Sequence, residues 1–244
     1  GDWPAVVEAR LLYANVLGGP ARLACLQESA TILETQLNDT KKASEIWSLV
    51  LQEDAAHPEA LRRKYEAAQV DGGEVLIDAG IHFAGVLTGQ ACAEVWAKLG
   101  TTASNMDDTG RATSFFERAV REDANHTKAC LTLVDIYQTG RDWRSAVRCL
   151  MLLADADNAV DRINYLEQAA RIEAEQRGDR VAADSLHHLI LVSHPNHIPS
   201  LRFIVKWACD GGSPKDALEY FERLDAVGFS ELDLEDFEVK MELS

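Results

Sequence analysis

The sequence predicts an all-α solenoid of about seven helical hairpins, and three observations predict it. Small or branched residues recur where a helical pattern begins, at Val6, Ala43, Ile77, Ala112, Ala146, Ala183 and Ala217. Their intervals are 37, 34, 35, 34, 37 and 34 residues, a period that marks stacked helical hairpins rather than one globular core. Second, residues four and seven further on complete one helix face in each copy. Third, one turn is written three times, in QEDAAHPEALRR (52–63), REDANHTKACL (121–131) and VSHPNHIPSLR (192–202), with His57, His126 and His197 in the same place.

The outer helix of each hairpin follows from these anchors. Helices are expected near 2–16, 40–53, 73–87, 109–122, 142–154, 179–193 and 214–227. Their larger anchors are Arg10, Trp47, Ile81, Phe116, Leu150, His187 and Phe221, then Tyr13, Val50, Ala84, Ala119, Leu153, Ile190 and Leu224. The stretch EVLIDAGIHFAGVL (74–87) has some strand character, but its length, its Ala and Gly content and its place in the register make it a helix. A second set of helices runs between these. Its anchors are Leu61, Trp96, Cys130 and Leu201, and in the two longer units the frame slides to Leu23, Leu26, Ala30 and Ile163, Leu166, Ala170. Those two helices are expected to run a turn longer. WAKLG (96–100) marks a close helix approach at Leu99 and Gly100.

Punctuation agrees with this segmentation. Pro4, Pro58, Pro199 and Pro214 fall at or beside helix starts, where a missing N–H costs nothing. Asp39, Asp108, Asp142, Asp179 and Ser213 are placed to cap N-termini. A slower repeat overlies the first: GDWPAVV (1–7) and RDWRSAV (141–147) are 140 residues apart, as are Asp39 and Asp179. Duplication of a two-hairpin unit of about 70 residues accounts for both.

Composition narrows the function. Hydrophobic residues make up 47% of the 244 residues, enough for a continuous core. The net charge of −16 argues against nucleic acid or an anionic membrane as partner, since both need a cationic surface. No run of about 18 apolar residues is present, so no membrane insertion is expected. The five cysteines all lie within helical patterns and no CxxC occurs, which fits buried thiols in a reducing, cytoplasmic setting. The opening GDWPAVVEAR lacks both a Met and a leader pattern, so the chain reads as trimmed or processed and a targeting signal can be missing from it.

The quoted repeats resemble those of the tetratricopeptide-repeat (TPR) family from end to end. ASEIWSLVLQEDAAHPEAL (43–61), ATSFFERAVREDANHTKAC (112–130) and ALEYFERL (217–224) are similar to the second helix of that repeat. Ile77 departs from its small position, and Arg10 and His187 from its large one. The paired arrangement resembles long bacterial arrays. The resemblance implies antiparallel helix pairs in a right-handed superhelix whose inner helices line a concave groove for a peptide or partner helix. It also implies a scaffold or adaptor without enzymatic activity. The physics agrees, since no hairpin here buries its apolar face without a neighbour.

On the inner helices, residues one, five and eight after the first anchor are expected on the groove side. They include Arg62 and Glu66, Asp135, then Asn164, Gln168 and Arg171, then Arg202 and Lys206. Arg171, Arg202 and Lys206 make the C-terminal end basic within an acidic chain, which suits an acidic peptide or a C-terminal carboxylate. Some TPR co-chaperones hold such ends with Lys, Asn and Arg, of which Asn164, Arg202 and Lys206 give a partial match.

Other readings fit the residues less well. His57, His126 and His197 are too far apart to share a metal and are expected to cap carbonyls of the preceding helix. HHLILVSHPNH (187–197) offers His194 and His197 for zinc, but His187 fills a core position, so no metal is expected, nor a zinc-dependent hydrolase. DADNAVD (155–161) lacks the Gly and Glu of a calcium loop. No Walker, G-x-S-x-G, H-E-x-x-H or G-x-G-x-x-G motif occurs, so no cofactor and no catalysis are expected. The segment 228–244, acidic with Phe229, Leu232, Leu234 and Phe237, reads as a capping helix or an amphipathic tail. The N-terminal outer helix lacks an inner mate, and that edge is a candidate for self-association. The alternative function is a regulatory or substrate-presenting arm of a larger enzyme or of a secretion or assembly machine.

Overall fold

A computed structural model describes residues 2–156, 161–210 and 214–228, and every regular element among them is helical. The order is α1 (Trp3–Ala14), α2 (Gly19–Thr35), α3 (Thr40–Glu53), α4 (Pro58–Asp71), α5 (Gly73–Ala84), α6 (Gly89–Asn105) and α7 (Thr109–Glu122). Then come α8 (Thr127–Thr139), α9 (Trp143–Asp155), α10 (Arg162–Arg171), α11 (Arg180–Ser193), α12 (Ile198–Asp210) and α13 (Pro214–Gly228). A π-helical turn, Ile172–Gln176, extends α10. The described residues thus form six inner–outer pairs plus α1. Ser213, the side chain of Ala217, residues 157–160 of the acidic loop and the segment 229–244 lie outside the described residues.

Helices α1–α7 form one compact unit and α8–α13 a second. Within each, packing runs in chain order, every helix against the next. The small anchors are what allow this: Ala43, Ala112, Ala146 and Ala183 are at most 1% exposed. Large partners fill the space beside them, with Trp47, Phe116 and Leu150 buried on the outer helices and Leu61, Trp96, Cys130 and Leu201 on the inner ones. At two positions even a methyl group has no room. A Cβ on Gly80 would lie 2.5 Å from Leu99 Cδ2, and one on Gly100 would lie 2.8 Å from the ring of Phe116.

Two anchors depart from the sequence register. Val6 and Tyr13 are 37% and 58% exposed, while Val7 and Ala14 are buried instead. In its unit α1 packs mainly against α2. Ile81 is also exposed, and Gly80 takes the buried place under Leu99.

Four of the described joints from inner to outer helix use one device, while Gly72 and Gly73 make the turn into α5 without a side-chain cap. Asn38, Asp107, Arg141 and Gly178 have positive φ, and each is followed by an aspartate. Asp39, Asp108, Asp142 and Asp179 then accept from the backbone N–H three residues on, at 2.9–3.2 Å. This satisfies an amide that the helix cannot.

The joint from outer to inner helix explains the repeated histidine and corrects the expectation. His57 and His126 do not cap the preceding helix. Their Nδ1 atoms accept from Ala60 N–H (3.2 Å) and Ala129 N–H (3.1 Å), so they cap the helix that follows.

Gly100 gives a direct check on the packing. Gly100→Ala gains helix propensity of about 1 kcal/mol, yet its Cβ drives into a ring that is itself buried. We expect net destabilisation of about 1–3 kcal/mol in thermal denaturation, relieved by adding Phe116→Leu. An unchanged or raised melting temperature for the single variant would contradict the close approach.

Candidate interaction site

The second unit contains a cavity of about 620 Å³ between the inner helices α10 and α12, with α11 behind it. Asn164, Glu167, Gln168, Ala170 and Arg171 of α10 form one wall, continued by Ala174 and Glu175 of the π-helical turn. Pro199, Phe203, Lys206, Trp207 and Asp210 of α12 form the other, and Arg180 and His187 come from α11. The volume is that of an ordinary ligand or side-chain pocket.

The α12 wall follows from spacing. Pro199, Phe203 and Trp207 recur every four residues and so form one stripe, beside the buried face of Leu201, Ile204 and Val205. Both rings are held from α11. Phe203 packs on His187 with centroids 4.3 Å apart. The Arg180 guanidinium lies 5.9 Å from the Trp207 ring centroid, and its Nη1 is 3.1 Å from an Asp210 carboxylate oxygen. The opposite wall is shaped by the π-helical turn. Its Glu173 is buried and paired with Arg177 at 2.5 Å, which leaves Ala174 and Glu175 toward the cavity.

A polar chain runs beneath. Ser200 Oγ lies 3.0 Å from His187 Nδ1 and 2.9 Å from His197 Nδ1, and His197 Nε2 is 3.4 Å from Glu167. One hydroxyl proton serves two imidazoles only if one donates and the other accepts. With His197 turning Nε2–H to Glu167, its Nδ1 accepts from Ser200, and His187 Nδ1–H donates to Ser200. Acid, imidazole and hydroxyl here echo a hydrolytic triad, but Ser200 is fully buried and no substrate reaches it. The network braces the wall and does not perform chemistry. Among the described residues no group of three His, Cys, Asp or Glu side chains is placed to hold a metal. No described helix is long and apolar enough to cross a membrane.

The groove residues read from the sequence divide. Asn164, Gln168, Arg171 and Lys206 come together around this cavity. Arg202 is half-buried on α12 and does not line it. Asp135 is exposed on α8, away from the lining. Arg62 and Glu66 lie on α4 in the other unit, where Arg62 bonds Glu66 at 2.6 Å and Glu59 at 2.5 and 2.9 Å. Its hydrogen bond holds the Glu59 carboxyl below its usual pKa.

The sequence reading missed Phe203, Trp207, Ala174 and Arg180. The usable signal was the aromatic pair at i and i+4 in LRFIVKWACD, off the buried face. The 140-residue register was a second signal, because it holds side chain by side chain. Arg22 and Arg162 donate to Ala14 O and Ala154 O at 3.1 and 3.0 Å. The His57 ring meets Gln27 as His197 meets Glu167.

Comparison with known proteins adds little. No family model and no curated protein sequence matches the chain. Among solved structures, YrrB, a TPR protein with an unusual peptide-binding site, is 14% identical with a TM-score of 0.42 and covers 83% of this chain and 97% of its own. MamA is 17% identical with a TM-score of 0.40, covering 87% and 97%. The C-terminal part of a TPR repeat-containing protein from Cytophaga hutchinsonii is 15% identical, with a TM-score of 0.40, covering 82% and 78%. At these values the likeness carries no functional argument, and the TPR-like character rests on the stacked helix pairs themselves.

His187 yields a pH prediction. Burial, then the nearby His197 and His188, lowers its pKa from 6.5 to about 4. The folded state therefore favours neutral His187. Its contribution is complete above the unfolded value near 6.5 and is lost as pH falls toward about 4. The full loss is about 3 kcal/mol. Urea unfolding across this window should show the wild type losing more stability than His187→Phe. Parallel curves for the two proteins would refute the buried neutral imidazole.

Proposed function

We propose that this chain is a non-enzymatic interaction module that holds a segment of a partner protein against the inner helices of its second unit. One observation carries the reading: the cavity between α10 and α12 presents ordered aromatic surface and cations from both walls, Arg171 on one and Lys206 on the other. Such a mixture of a few polar groups on an apolar base is what orients a bound segment. The stacked hairpins supply geometry, and Ser200, set between two imidazoles, is sealed inside. The acidic character of the chain disfavours polyanions over most of the surface, and Arg171 and Lys206 offer an acidic protein segment a place within it.

The test is site-specific photocrosslinking. A benzophenone side chain placed at Phe203 should capture partner protein far more efficiently than one placed at Val192, which is 81% exposed on the outer helix α11. Equal capture at the two positions, or capture at Val192 alone, would move the interaction to the outer face and sink the reading.

A further inference from the structure

The cavity has a counterpart within the same chain. A smaller cavity of about 230 Å³ in the first unit is lined by residues of α2, α3 and α4. Six of its lining residues lie 140 positions before lining residues of the larger one: Glu34 and Ala174, Thr40 and Arg180, Trp47 and His187, Arg63 and Phe203, Glu66 and Lys206, Ala67 and Trp207. The duplicated hairpins therefore built one pocket twice, and the substitutions between the copies show what changed.

In the first unit the space is bridged. Glu34 accepts from Trp47 Nε1–H at 2.9 Å and meets Arg63 at 3.1 Å, so three long side chains close over it. In the second unit all three members differ. Ala174 replaces the bridging carboxylate, His187 replaces the indole, and Phe203 replaces the guanidinium. Where the first copy has the small Ala67, the second has Trp207. The result is a deeper slot with rings on one side and Ala170 and Ala174 on the other. The rings are fixed before any ligand arrives, by His187 and by the Arg180–Asp210 pair. A preformed apolar slot with rigid walls is suited to a bulky apolar side chain, which displaces water and loses little freedom.

The charges changed too. Thr31 and Glu66 of the first unit correspond to Arg171 and Lys206 of the second. Of the carboxylates around the larger cavity, Asp210 is tied to Arg180 and Glu167 faces His197, while Glu175 sits on the π-helical turn. Arg171 and Lys206 on opposite walls of the slot complement an acidic group next to the anchor.

We infer that the second-unit cavity is a specificity slot for an acidic peptide segment carrying one bulky apolar residue, with that side chain between Phe203, Trp207 and Ala174 and its neighbouring carboxylate between Arg171 and Lys206. This rests on the function proposed above and deepens it.

Selection of a displayed random peptide library of about twelve residues against the full chain tests it. Enriched peptides should share an aromatic or large aliphatic residue next to Asp or Glu. Ala174→Glu, which restores the carboxylate of the first unit, should weaken the leading peptide at least ~10-fold while the thermal melt stays unchanged. Should that variant unfold, Arg171→Glu with Lys206→Glu on the surface gives an independent readout, again a loss of ~10-fold or more for acidic peptides. Peptides that enrich without a bulky apolar residue, yet still lose binding in Ala174→Glu, overturn the slot and leave the groove reading standing. No enrichment, or enrichment indifferent to all three substitutions, overturns both.

Discussion

A hairpin in this chain has an apolar face that it cannot cover by itself. Everything else in the structure answers to that constraint. The face is hidden only when the next hairpin leans on it, and it leans closely only where one side of the contact is almost bare. Ala43, Ala112, Ala146 and Ala183 provide such places, and Gly80 and Gly100 do so most severely. On α1, which packs mainly against α2 in its unit, Trp3, Val6, Leu12 and Tyr13 remain substantially exposed.

The joints keep the stack in phase. A left-handed residue followed by an aspartate turns four of the inner helices into their outer partners, and a histidine starts two of the returning helices. These devices stabilise by roughly 1 kcal/mol apiece, which is small beside the core. Their larger effect is on direction. Within each unit the joints bring neighbouring inner helices, α2 with α4 and α10 with α12, to a shared wall. In the second unit that wall is where the cavity opens, and the histidine joint has been drawn into its support. His197 keeps its position in the repeat but turns to Ser200 and Glu167, bracing the α12 wall against α10.

Duplication gave the chain two versions of one pocket, and their divergence separates scaffold from site. Positions that hold the stack kept their chemistry across the 140-residue register: Arg22 and Arg162, Ala14 and Ala154, Asp39 and Asp179 make the same bonds in each copy. Positions around the cavity did not. One copy closed over a Trp–Glu–Arg bridge, and the other opened between ordered rings.

The sequence alone determined the class of fold, the order of helices and the joints, because those depend on periods and on local caps that a linear pattern carries. It also placed Asn164, Gln168, Arg171 and Lys206 on one surface, since an offset from a buried anchor fixes a helix face. Other features were not local, and only tertiary structure decided them. Whether Val6 or Val7 turns inward depends on how α1 packs against α2. Whether Arg202 reaches the cavity depends on a rotation of α12 that its own sequence does not fix. That Phe203 and Trp207 form a wall, that a π-helical turn sets Ala174 opposite them, and that Glu34 bridges Trp47 and Arg63 in the equivalent space all depend on side chains from three helices meeting. A contact between elements has no signature within any one of them.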